Sequence, residues 1–104
     1  MTQNNQPRIP FRLSQFGTTL VTRDQGIPIR EQLLVLLNQG KQIEVIFDGV
    51  EALTPSFVDE VLGKALVVLG IDRFRNDVTL VAQSQEHRRL ANLVLSNRTP
   101  TKTS

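Results

Sequence analysis

Ser56 stands two residues after Thr54, three before Asp59 and four before Glu60, at the start of a long apolar-striped segment. Hydroxyls in that position can satisfy free backbone N–H groups, accept a phosphate or meet a docking partner. A phosphate there would sit at the positive end of the helix dipole. It would also face Asp59 and Glu60 and turn an acidic surface strongly acidic, which would repel a bound partner. Asp59 and Glu60 are adjacent, so on a helix they point about 100° apart and do not converge on one substrate atom. The pair therefore reads as a carboxylate surface for an Arg-bearing partner, or as acids favoured by the dipole, rather than as an acid–base couple. Asp48 ends an apolar run, a common site position in α/β folds and also a common turn residue. Glu51 lies close enough to raise a magnesium site, for which two carboxylates are a thin basis.

The strand that must hold Asp48 is Gln42 to Phe47, apolar at Ile43, Val45, Ile46 and Phe47 as in a strand covered on both faces. Thr54 before Pro55 favours an extended N-cap, and Pro55 suits the first helical position. Phe57, Val58, Val61, Leu62, Ala65, Leu66, Val68 and Leu69 then make a wide apolar face, which Gly70 ends. Upstream, Arg8 to Leu13 alternates, and Pro10 makes it an edge or irregular strand. Thr18 to Thr22 is expected to pair with it as a hairpin through Gly17. Thr22-Arg23-Asp24-Gln25 matches a capping box, but Gly26 and Pro28 interrupt it, so a capped turn and a regular helix from about Pro28 to Asn38 are expected. Asp72 to Asp77 reads as a charged loop, Val78 to Ala82 as a strand, and Ser84 as the cap of a helix through about Ser96. The order is ββαβαβα, a four-stranded mixed sheet with three helices largely on one face. Residues 1–7 and 98–104 read as disordered, which leaves one folded domain over 8–97.

Composition narrows the function. The chain has 104 residues, no Cys, one His and a net charge of +2. These exclude disulfides and thiolate nucleophiles, and they argue against His-based metal sites and Ser-His triads. No apolar run approaches bilayer-spanning length, and the polar N-terminus lacks a signal-peptide core; a cytoplasmic protein with no membrane role is expected. Glu44, Asp48, Glu51, Asp59 and Glu60 are the only charges between 44 and 60, whereas bases outnumber acids after residue 72. Such asymmetry bears on partner choice. Arg73, Arg75, Arg88 and Arg89 could contact nucleic acid, but no stacking aromatics lie near them. His87-Arg88-Arg89 reads as a solvated helix face.

Several pieces together resemble the STAS-like family of unknown function. They are Thr22-Arg23-x-x-Gly26 with Arg30, Val45-Ile46-Phe47-Asp48-Gly49-Val50, the run from Thr54 to Gly63, Val78-Thr79-Leu80-Val81, and Arg89-Leu90. More distantly the pattern is similar to STAS domains proper, the anti-sigma factor antagonists, in which a loop Ser opening a helix is phosphorylated by a kinase that is also the anti-sigma factor. That Ser falls on Ser56 and the loop Asp on Thr54; Phe57 and Pro55 replace the loop Gly and first Ser. The resemblance implies a bacterial, non-enzymatic regulatory module without a cofactor. Its partner would be a GHKL-type kinase or ATPase, or an anti-sigma-like factor. Ser56, or else Thr54, would be the phosphoacceptor. Asp48, Glu51, Phe57, Asp59, Glu60, Arg23 and Arg30 would form the partner-binding face, with Arg23 pairing an acid of its own fold, Asp48 or Asp59, or contacting an anion. The alternative is a nucleic-acid-associated regulator using the basic C-terminal half.

Overall fold

Every second residue of the central strand is sealed from water. In β3 (Ile43–Ile46), Ile43 and Val45 are buried while Glu44 and Ile46 are half-buried. The computed structural model describes residues 7–99 and places β3 between β1 (Ile9–Arg12) and β5 (Val78–Val81) in an all-parallel sheet. Ile9 and Val78 both pair with Ile43, and Phe11 and Leu80 both pair with Val45. These odd rows share one face, and the helices cover it. Pro10 on β1 is therefore on an edge strand, where its missing N–H costs no ladder bond.

The expected four-stranded mixed sheet is not what forms. Leu13–Phe16 coil into a 3₁₀ turn, and Gly17 follows at φ +137°, a conformation glycine tolerates. The turn carries the chain away from β1, so no hairpin closes. Instead β2 (Thr19–Leu20) lies parallel to β4 (Ala52–Leu53) in a separate two-stranded sheet, and the Thr18 carbonyl accepts from the Glu51 and Ala52 amides. Each paired strand is separated in sequence from its mate by a helix or longer, which enforces parallel pairing.

Helix α1 (Arg23–Asn38) starts five residues earlier than the Pro28 boundary read from sequence. The capping box is complete: Thr22 Oγ1 accepts from the Gln25 amide at 3.1 Å, and Gln25 Oε1 accepts from the Thr22 amide at 3.0 Å. With that turn fixed, the helix runs through Pro28. Residues 55–69 form one continuous helix in three parts: α2 (Pro55–Val58), a π-helical turn (Asp59–Gly63) and α3 (Lys64–Leu69). The supposed loop is helix α4 (Ile71–Asp77), anchored by buried Phe74 and by Arg73, which donates to the Leu37 carbonyl at 2.9 Å. Helix α5 (Gln85–Arg98) is capped by Ser84. Of the two ends expected to be disordered, all but Pro7, Arg98 and Thr99 lie outside the described residues, and Arg98 is the last residue of α5. Phe47, Phe57, Leu33, Leu37 and Leu62 fill the core between sheet and helices.

Candidate functional site

Thr54 builds the opening of α2. Its Oγ1 accepts from the Phe57 amide at 3.2 Å and donates to the Val21 carbonyl at 2.7 Å, which fastens the helix start to the end of β2. A hydroxyl held by both bonds is a structural pin, which counts against Thr54 as the phosphoacceptor. Pro55 takes the first helical position, and Ser56 follows it, exposed. Ser56 lines an open hollow of about 320 Å³ together with Arg23, Asp59, Val94, Asn97 and Arg98.

Asp59 and Glu60 do not stand out as a free acidic pair. Arg98 grips Asp59 with two bonds, Nε to Oδ1 at 2.8 Å and Nη2 to Oδ2 at 2.7 Å. Arg23 Nη1 reaches both acids, 2.9 Å from Asp59 Oδ2 and 3.3 Å from Glu60 Oε1. The two adjacent carboxylates therefore do converge, contrary to the 100° argument: they open the wider π turn, and a long guanidinium spans them. Glu60 is only 3% exposed; it also receives Arg30 Nη1 on its carboxylate and Lys64 Nζ at 3.1 Å. Arg30 Nη1 further donates to the Glu60 carbonyl at 3.2 Å. Gly26 makes this packing possible, because a Cβ there would stand 3.0 Å from Glu60 Cβ and 3.1 Å from Val61 Cγ2.

Electrostatically, the helix opening carries two carboxylates beneath four cations, Arg23, Arg30, Lys64 and Arg98. The acid-crowned surface expected from sequence is thus a cationic one. The Arg98 hydrogen bonds, opposed by burial and aided by Arg23, hold the Asp59 carboxyl at about 2, down from 3.8. Burial pushes the Glu60 carboxyl up, but hydrogen bonds from Arg30, Lys64 and Arg23 outweigh it and leave it below the usual carboxylate range. Both acids stay ionised at neutral pH.

The other expected site residues scatter. Phe57 is fully buried and Glu60 nearly so; neither can contact a partner directly, because the apolar stripe and the ion cluster turn them inward. Arg30 is half-buried against Glu60. Asp48 Oδ1 accepts from the Gln83 amide at 3.0 Å, which joins the chain after β3 to the chain after β5. Glu51 is exposed and lines a second hollow of about 380 Å³ with Thr54, Glu86, His87 and Leu90. Among the described residues, no cluster of three His or carboxylate side chains is placed to hold a metal. His87 is half-buried, its ring 6.1 Å from that of Phe47, and not on a fully solvated face. Of the bases considered for nucleic acid, Arg73 is tied to the Leu37 carbonyl and Asp77, and Arg88 Nε donates to the Ala82 carbonyl at 2.7 Å. Lys64 and Arg98 were not singled out by the sequence. For Arg98 the available signal was the Ala91–Val94 stripe of α5, which continues four residues on to Arg98.

A family model described as a STAS-like domain of unknown function (DUF4325) matches residues 25–86, well over half of the chain. The chain belongs to this STAS-like family. No curated protein and no solved structure matches it. The STAS-like match takes in Asp48, Ser56, Asp59 and Glu60, while Arg23 and Arg98, the two arginines on Asp59, lie outside it. Among the described residues, no helix is long and apolar enough to cross a membrane.

Proposed function

We propose that this STAS-like chain is a non-enzymatic regulatory module that binds a protein partner through the opening of α2, with Ser56 as a switch hydroxyl. The observation that carries this reading is the exposure of Ser56 on the wall of an open hollow that Arg23 and Arg98 also line. Phosphorylation there would be favourable twice over. The first turn of residues 55–69 presents the positive end of the helix dipole, and two guanidinium groups stand close by. A phosphate three residues before Asp59 competes with that carboxylate for Arg23 and Arg98, so the modification redraws the charge of the whole face. By resemblance to the STAS antagonists, the partner is a GHKL-type ATPase or an anti-sigma-like kinase, and the setting is the cytoplasm.

The test is intact-mass analysis of the chain after incubation with ATP and such a kinase. One added phosphoryl group is expected on the wild type and none on Ser56→Ala. Partner capture by Ser56→Ala and Ser56→Asp should differ; equal capture would discard the switch.

A further inference from the structure

We infer that the docking face takes a protein segment with a basic end, an apolar middle and an acidic end, laid along a trough between the 51–59 stretch and α5. The inference rests on reading the α2 opening as the docking face, and it adds the chemistry of the partner.

The linings of the two hollows follow one another along the same two segments. On one wall, Glu51, Ala52, Leu53 and Thr54 line the first hollow, and Pro55, Ser56 and Asp59 line the second. On the other wall, α5 supplies Glu86, His87 and Leu90 to the first and Val94, Asn97 and Arg98 to the second. Both walls advance in the same direction. From Glu86 to Arg98 the trough follows α5 for about 18 Å, enough for roughly a dozen helical residues or six extended ones.

Its chemistry changes along that length. At one end Glu51 and Glu86 are both exposed, and neither has a cationic partner among the described residues. The middle is apolar, with Ala52, Leu53, Leu90 and Val94. Leu93 extends it: residues 86, 90, 93 and 97 form one helical stripe, and Leu93 is 57% exposed. At the far end the side chains of Arg23 and Arg98 are 48% and 35% exposed; both meet Asp59, and Arg23 also reaches Glu60. A nucleic acid would put phosphates against Glu51 and Glu86, and so would an anionic membrane; a polypeptide can reverse its charge within six residues. The basic end also lies beside Ser56. A phosphate on Ser56 would supply in cis the anion that the partner's acidic residue supplies in trans, and so expel it.

The probe is a random dodecapeptide phage library panned against the full chain, followed by anisotropy titration of the selected peptide. The expected consensus has Asp or Glu toward one end, Lys or Arg toward the other and apolar residues between. Leu90→Glu should weaken the peptide by roughly tenfold or more. The surface double variant Glu51→Lys/Glu86→Lys should weaken it too and prefer a peptide whose basic end is made acidic. Peptides lost on Leu90→Glu but indifferent to Glu51→Lys/Glu86→Lys would overturn the charge order and leave the docking face standing. Peptides indifferent to Leu90→Glu and to Ser56→Glu would overturn both. A library that yields no binder also counts against the trough; the switch reading is then judged by the phosphorylation assay alone.

Discussion

Arg98 and Asp59, 39 positions apart, are joined by two parallel hydrogen bonds that tie the last turn of α5 to the π turn in the middle of the 55–69 helix. The bond pair closes the candidate site on the side away from α1. It also makes the site's shape depend on a charge that can be titrated.

The Asp59 carboxyl is the group to titrate. Its folded value of about 2, against 3.8 ordinarily, means that ionisation favours the folded state. That contribution is whole above about pH 5 and is lost as pH falls through about 2; its ceiling is about 2 kcal/mol, trimmed by solvent at Arg98. Asp59→Asn should therefore be less stable than wild type at neutral pH, with the gap narrowing between pH 5 and 2. Urea denaturation across that range measures it, and a gap that stays constant would show that the pair contributes nothing through charge.

Glu60 should behave differently, because it is buried under several cations. Removing Glu60 alone, as in Glu60→Met, strands Arg30 half-buried and should cost about 3 kcal/mol. Replacing both, Glu60→Met with Arg30→Met, should cost less than the single change, since an apolar pair needs no compensation. A double-mutant cycle by chemical denaturation decides this; additive losses would mean the ion pair is not a unit.

Where periodicity was strong, the sequence was readable. The strand around Val45, the cap at Thr54 and the buried stripe from Phe57 to Leu66 appear where expected. But β3 alternates instead of being sealed on both faces, with Glu44 and Ile46 half-buried, and Val68, expected inside, is 67% exposed. Strand pairing was not readable, because two-residue strands such as Thr19–Leu20 carry no pattern and a 3₁₀ turn replaces the hairpin. Helix α4 was hidden by its charges: its apolar face is only buried Phe74 with half-buried Ile71 three residues before it. Ser56 was legible as an exposed hydroxyl. The sign of its surroundings was legible only in part: Arg23 was expected on Asp48 or Asp59 and meets Asp59, whereas Arg30 and Arg98 are brought onto Glu60 and Asp59 by tertiary packing.

Thr54 and Ser56 should separate cleanly in stability. Thr54→Val removes both the bond to Phe57 and the bond to the Val21 carbonyl, and a loss of about 1–2 kcal/mol is expected. Ser56→Ala touches an exposed position and should stay within about 0.5 kcal/mol of wild type. Thermal melts of the two variants provide the comparison. A Ser56→Ala protein as unstable as Thr54→Val would make Ser56 a structural residue, and its candidacy as a switch would fall.

Gly63 offers a sharper probe of the Asp59–Arg98 bond. Its backbone is helical at φ −62° and ψ −46°, so alanine should favour it intrinsically by about 1 kcal/mol. Yet a Cβ at Gly63 would run into Asp59 Oδ1, the oxygen that Arg98 Nε holds, and would stand 3.3 Å from Arg98 Cγ. Gly63→Ala must therefore turn the Asp59 carboxylate away from Arg98, and the lost pair offsets the gain in helix propensity. In wild type the change is expected to be neutral or destabilising; in an Asp59→Ala background the carboxylate obstacle is gone, Arg98 Cγ at 3.3 Å can give way at the surface, and the same change should stabilise. A reversal of sign between the two backgrounds, read from denaturation midpoints, would show that Gly63 keeps room for this ion pair. The same sign in both would place the constraint on Gly63 elsewhere.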